Sequence, residues 1–266
     1  MTEAAATAPV PPEFATAAAV VVGGTGGVGL ATARRFAEAG VRRIGLVGRN
    51  PERGAAAAET LRRRHPDLEV CFVAGDVNQP AVAQQLTDEL AERLDGIDLL
   101  VNSTTGSANP ALLHDIPIEA IPDIVNHQML GPLLMSRAVL PLMREQRSGS
   151  IVNIASDAAK HPTPGETVIG AGMAAIVMFT RAMAMEAKRD GIRVNAITPS
   201  LITDSGGYER VMSEPFSARL FQKAARLAAL GVAEPVDIAE LACFLSSPAA
   251  RRITGQVVSP NGRISA

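Results

Sequence analysis

The sequence contains no tryptophan, a single tyrosine (Tyr208) and two cysteines in 266 residues. So few aromatic side chains leave little for recognising a ring ligand by stacking, although aliphatic pockets bind rings too. Cys71 and Cys243 lie far apart in apolar stretches, so the expectation is two buried, reduced thiols and no disulfide. No cluster with metal-ligand spacing stands out, and no metal is expected. Charge of either sign is also scarce in net terms, with 25 Lys and Arg against 27 Asp and Glu, a formal balance of −2. That gives no electrostatic case for nucleic acid or anionic lipid as a partner. No uncharged apolar stretch reaches the roughly 18 residues a membrane span requires. The first 17 residues, MTEAAATAPVPPEFATA, have neither a basic start nor an apolar run of signal-peptide length. They read as a flexible tail ahead of one domain over 18–266, in a cytoplasmic protein.

What is present is a globular balance, 47% hydrophobic and 20% charged, in a chain long enough to bury the core of one α/β domain. From Ala17 a short apolar run (AAAVVV) leads into a glycine turn, a helical segment closed by Gly40, a second apolar run (RIGLVG) and a second helix. That helix has a start signal: Asn50 as N-cap, Pro51 at its first position and Glu52 in its first turn. Further strands read at EVCFVAG, IDLLVNS, GSIVNIAS, IRVNAITPS and GQVVSP, with helical segments between them. Such alternation implies a parallel sheet covered on both faces. The expected architecture is a single-domain α/β fold of Rossmann type, a doubly wound sheet of seven parallel strands. No period of 20 to 50 residues recurs, which excludes solenoids and propellers.

In VVGGTGGVG the glycines follow a strand and open a helix, the context in which a glycine-rich turn becomes a dinucleotide signal. Glycine permits positive φ and lets backbone N–H groups approach a pyrophosphate, while the helix N-terminus adds partial positive charge. Gly23, Thr25, Gly26, Gly27 and Val28 are the expected contacts. A carboxylate at the end of the second strand would take a ribose 2′-hydroxyl, and an arginine there a 2′-phosphate. The residues are Gly48, Arg49 and Asn50. Arg49 can hold a phosphate through two parallel hydrogen bonds, so NADP(H) is the expected cofactor, with NAD(H) as the alternative.

The segments VVGGTGGVG, GRNPE, AGDVN, LLVNS, GPLLMSRAVLPLM, GSIVNIAS, GIRVNAITPS and ITGQVVSPNGR together resemble the short-chain dehydrogenase/reductase family, from Ala18 to about Gly262. The resemblance implies that Asp76 and Val77 flank the adenine ring and that Asn102 steadies the central sheet beside the cofactor. It also implies a homo-oligomer, dimer or tetramer, paired through the helices containing GPLLMSRAVLPLM and AAIVMFTRAMAMEA. Val22 stands where the family usually has threonine, and Ser103 and Thr104 replace an asparagine and an alanine.

The family's chemistry rests on a serine, a tyrosine and a lysine, with an asparagine supporting a proton relay. Ser156 matches the serine. The tyrosine and lysine positions align with Ile169 and Met173, the asparagine with Gln128, and Ser200 and Asp204 replace a glycine and a threonine near the nicotinamide. No shift of alignment restores the tyrosine, because Tyr208 lies far downstream. Losing a positioned acid typically costs ~10² to 10⁴ in rate. The adenine and pyrophosphate side thus keeps the family pattern while the reacting side departs from it. Replacement groups lie in SDAAKHPTPGETV, where Lys160 and His161 accompany Asp157 and Glu166, and His161 is the candidate because imidazole exchanges protons near neutral pH. Of His127 and Gln128 only one can face the pocket, since adjacent helix positions point about 100° apart. Tyr208 is a candidate lid residue with Gly206 and Gly207 as hinge. Met173, Met178, Met183 and Met185 read as filling on a buried helix.

The resulting expectation is an NADP(H)-dependent, ketoreductase-like oxidoreductase of a small-molecule substrate, with Ser156 on the carbonyl and a proton donor other than tyrosine. Two alternatives stay open: a non-redox enzyme of the same fold (dehydratase, cyclase or isomerase) and a catalytically silent nucleotide-binding subunit. Fold alone does not choose among them.

Overall fold

The computed structural model describes residues 12–265. Seven strands, β1 (Ala18–Val22), β2 (Arg43–Gly48), β3 (Glu69–Ala74), β4 (Leu99–Asn102), β5 (Gly149–Ile154), β6 (Ile192–Ile197) and β7 (Val257–Val258), form one sheet in the order β3-β2-β1-β4-β5-β6-β7. All pairings are parallel, and β1 aligns with β4 so that Val22 lies beside Asn102. The strand order reverses between β1 and β4, and the loops leaving these two strands therefore diverge and open a crevice at their C-terminal ends.

Period-two alternation divides the core. Ala19 and Val21 face one side of the sheet, where they pack with Ala33 and Phe36 of α1 (Gly27–Glu38), Leu61 of α2 (Pro51–Arg64) and Ile238 of α8 (Pro235–Ser246). Ala18, Val20 and Val22 face the other, against Leu90 of α3 (Pro80–Leu94), Met135 of α4 (Ile121–Gln146) and Ala184 of α5 (Thr167–Ala187). Each fully buried Leu, Ile or Val contributes about 1.5–3 kcal/mol. Asn50 caps α2 as expected, accepting from the Arg53 N–H at 2.8 Å, with Pro51 next to it.

Several expectations need correcting. Residues 1–11 of the expected tail lie outside the described residues; of the rest, Phe14 packs edge-on against Phe36 with ring centroids 5.9 Å apart and Ala17 is in the core. Cys71 is only partly buried, whereas Cys243 is buried as expected; both thiols are free and burial pushes both upward, Cys243 to about 11. Met173 and Met183 are core residues, but Met178 and Met185 on the same helix are exposed. By length and hydropathy α5 could cross a membrane, yet half of it is buried, packed against α4 and β6. Gly206 and Gly207, expected as a hinge, form the first turn of α6 (Gly206–Ser213), because the Ser205 hydroxyl caps it by accepting from the Tyr208 N–H at 3.1 Å.

Arg193 ties β6 to the end of α8. Its guanidinium is buried, donates to the carbonyls of Leu245, Ser246, Ser247 and Ile253, and is lowered to about 10 by that burial. A cation at a helix C-terminus also meets the negative end of the helix dipole. Arg193→Met strands these carbonyls and is expected to destabilise the fold by about 3 kcal/mol in urea unfolding; an unchanged midpoint would show that the carbonyls find other partners.

Candidate functional site

The crevice at the C-terminal ends of the strands is a cavity of about 590 Å³. Its floor comes from the β1–α1 turn, the loop after β4 and the loop after β5. Its roof comes from α6 and from α7 (Pro215–Leu227), through Tyr208, Val211, Leu220 and Phe221.

On the nucleotide side the glycine turn is sterically obligatory. Gly23 has φ +77°, and a Cβ on it would sit 2.4 Å from the Ser103 carbonyl oxygen; a Cβ on Gly29 would sit 2.2 Å from the Gly23 carbonyl oxygen. Only bare backbone allows β1, the start of α1 and the loop after β4 to meet this closely. The α1 N-cap, Gly26, makes no side-chain capping bond, so the first N–H groups of the helix are left to a ligand. Gly23, Thr25, Gly26, Gly27 and Val28 all line the cavity. A cradle that side chains would fill, placed at a helix N-terminus, fits a dinucleotide pyrophosphate.

Four other residues expected at the cofactor do not line the cavity. Arg49 is exposed at the end of β2. Arg53, one turn into α2, reaches the cavity instead, its Nη2 3.0 Å from where a Gly26 side chain would begin. Asp76 accepts from the N–H and side-chain amide of Asn78, at 3.1 and 2.9 Å, and Asn78 in turn accepts from the Gly131 N–H at 3.1 Å. Val77 is buried against α3 and α4. Asn102 is fully buried and donates to Asn153 Oδ1 at 2.8 Å and Ser136 Oγ at 3.2 Å, while Asn153 donates to Thr180 at 2.9 Å. That polar bridge fastens α4 and α5 to β4 and β5 directly behind the cavity. Its contacts are internal to the fold.

On the reacting side, Ser156, His161, Gln128 and Tyr208 all line the cavity, with Ile169, Met173 and Ser200. Asp204 lies outside it, exposed, with φ 50°. The Ser156 oxygen accepts from the Ala158 N–H at 3.2 Å, leaving the hydroxyl proton to donate to a substrate oxygen. Gln128 is buried, and its Oε1 accepts from the Thr105 hydroxyl at 3.2 Å and the Gly106 N–H at 3.1 Å, so it ties down the loop after β4. His127 faces outward, its Nδ1 2.8 Å from the Asp123 carbonyl. Lys160 is also exposed and bonds Ser259.

Asp157 joins Ser156 to the far end of the chain. Its Oδ2 accepts from Asn261 Nδ2 at 3.1 Å and from the Ser265 hydroxyl. Its buried Oδ1 makes no hydrogen bond and lies 4.0 Å from His161 Nε2. Glu166 lines the cavity as well; burial pushes its carboxyl above the usual range, a hydrogen bond from Thr163 opposes this, and the Asp157 charge adds to it. Among the described residues no group of three or more His, Cys, Asp or Glu could hold a metal ion. Arg53 was detectable in NPER as a cation one turn past a helix cap. The Asp157 contacts to Asn261 and Ser265 carry no local sequence signal.

A doubly wound sheet with a glycine cradle at its switch point defines a dinucleotide-binding fold. Residues 17–211 match the model of the short chain dehydrogenase family, and the chain belongs to that family. It is 34% identical over 246 residues, 92% of this chain and 95% of the relative, to the 3-oxoacyl-(acyl-carrier-protein) reductase FabG of Chlamydia trachomatis serovar D. Levodione reductase superposes with a TM-score of 0.88 at 27% identity, over 94% of this chain and 98% of that one. An NADPH-bound short-chain oxidoreductase from Pseudomonas aeruginosa PAO1 with an atypical catalytic centre gives 0.85 at 28% identity, over 96% and 99%.

Gln128→Ala leaves the buried Gly106 N–H without its acceptor. Exchange of the Gly106 amide is expected to accelerate about tenfold, equivalent to about 1.4 kcal/mol, with protection in the core of α4 retained. Unchanged exchange at Gly106 would show that the loop is held by other contacts.

Proposed function

We propose that this protein is an NADP(H)-dependent, ketoreductase-like oxidoreductase that protonates its substrate from a group other than tyrosine. The observation that carries this reading is that the glycine cradle and Ser156 open into one cavity. A bound nicotinamide would supply the hydride. The first N–H groups of α1 would hold the pyrophosphate, Arg53 at the cavity wall, with Arg49 outside it, would meet the 2′-phosphate, and Ser156 would donate to the carbonyl oxygen. Gln128 and Asn102 act as positioning residues by fixing the loop after β4 and the strands beneath it. Asp76 and Val77 hold the loop near the adenine. Ile169 and Met173 make the family's tyrosine and lysine positions apolar, so the proton comes from elsewhere on the cavity wall, with His161 and its neighbour Asp157 at hand. Tyr208 closes the roof over the substrate.

The FabG relative is, by its name, a reductase of 3-oxoacyl-(acyl-carrier-protein). Leu220, Phe221 and Leu227 over the cavity suit an acyl chain, so this is the first substrate class to screen. The domain over 18–266 is proposed to work in the cytoplasm as a homo-oligomer through α4 and α5, where Met178 and Met185 are 62% and 65% exposed on one chain. NADP(H) is expected to bind at least about tenfold more tightly than NAD(H), with Arg53→Ala removing about 1.4 kcal/mol of NADPH affinity. Equal binding of the two nucleotides by the unaltered protein would contradict the phosphate assignment. Ser156→Ala is expected to lower turnover by about 10² or more with NADPH binding intact. Turnover without any nucleotide would favour a lyase or isomerase.

A further inference from the structure

The vacated tyrosine and lysine positions do not stand alone on α5. Ile169 and Met173, four residues apart, share one face of the helix, and Glu166 is the N-cap residue immediately before it. All three line the cavity that also holds Ser156. Glu166 lies three residues before the position the family resemblance gives to tyrosine. No basic side chain forms an ion pair with its carboxyl among the described residues, and Ile169 follows on the cavity wall. The wall therefore carries a carboxyl with no ion-pair partner beside an apolar patch, surroundings that favour the neutral acid against the opposing hydrogen bond from Thr163.

Resting on the oxidoreductase reading above, we propose that the Glu166 carboxyl delivers the proton to the substrate oxygen while Ser156 holds that oxygen. A bound reduced nicotinamide would supply hydride to the carbonyl carbon; as the π pair moves onto oxygen, the Glu166 O–H bond breaks and the alcohol O–H bond forms. The products are alcohol, oxidised nicotinamide and a carboxylate that regains its proton from bulk water. The other ionisable groups on the wall are Asp157, His161, Tyr208, Arg53, Arg210 and Lys223. Of these Asp157 acts on Glu166 in the required direction, since its negative charge disfavours a second one nearby. His161 suits the task less well. Its side chain is 47% exposed, so water competes for whatever it would protonate, and its Nε2 faces the Asp157 carboxylate.

The test pairs Glu166→Gln with His161→Gln in the full-length protein, with two readouts. The first needs no cofactor. A carboxyl whose folded pKa is raised has its full stability below the unfolded value and loses it as pH rises through the folded value. Glu166→Gln is therefore expected to melt above the unaltered protein at neutral pH, the gap closing below about pH 4. A gap independent of pH would overturn the assignment. The second is NADPH oxidation with a panel of 3-oxoacyl thioesters, ketones and aldehydes, beside NADPH binding by fluorescence. Glu166→Gln is expected to lose about 10² to 10⁴ in rate and the fall in rate at rising pH, with NADPH binding kept. Loss of rate in His161→Gln with Glu166→Gln fully active would overturn the proposal and make the imidazole the donor. An unaltered protein that binds NADPH and reduces nothing in the panel would overturn the oxidoreductase reading itself, and Glu166 with it.

Discussion

The contact on which the site depends is the approach of bare backbone at Gly23 and Gly29. With a Cβ on Gly29 only 2.2 Å from the Gly23 carbonyl oxygen, no other residue lets α1 start where it does. That start points the free N–H groups of the helix into the crevice where the strand order reverses. The same constraint brings Ser103 against Gly23, and Gln128 then holds the next residues of that loop through Gly106. Nucleotide cradle and substrate wall are thus parts of one packing solution.

Behind this surface the sheet is held by polar bonds that apolar packing could not replace. Asn102, Asn153, Ser136 and Thr180 are all fully buried and connect two strands with two helices. Asn102 Oδ1 is left without a hydrogen-bond partner among the described residues, but the bonds that are made favour one arrangement of otherwise interchangeable apolar layers. They keep β4 and β5 in register beneath Ser156, which is how a residue with no place on the cavity wall can still bear on the chemistry above it.

Much of this was legible in the sequence. The apolar runs located the strands because a strand covered on both faces must be apolar along its length, and Asn50–Pro51 marked the start of α2 because a cap is a local device. The glycine turn was legible for the same reason. The less visible features depend on distance or direction. Arg53 rather than Arg49 reaches the cavity because a residue one turn along a helix points back over its N-terminus, which spacing alone does not show. Asp157 meets Asn261 and Ser265 across more than a hundred residues. The spacing of 169 and 173 with 166 at the helix cap was there to be read, but its meaning needed the partial burial of Glu166 on the cavity wall. Gly206 and Gly207 misled because Ser205, one residue earlier, turns a flexible pair into a capped helix.

The central claim of the proposed function is that hydride transfer proceeds without a tyrosine as the acid. It is tested most directly by isotope: NADPH deuterated at the transferring position of the nicotinamide is supplied with a 3-oxoacyl thioester, and the product is examined by mass spectrometry and NMR. The expected result is a 3-hydroxyacyl product with deuterium on the carbon that was the carbonyl. A product free of deuterium, or one formed equally well without nucleotide, would contradict it.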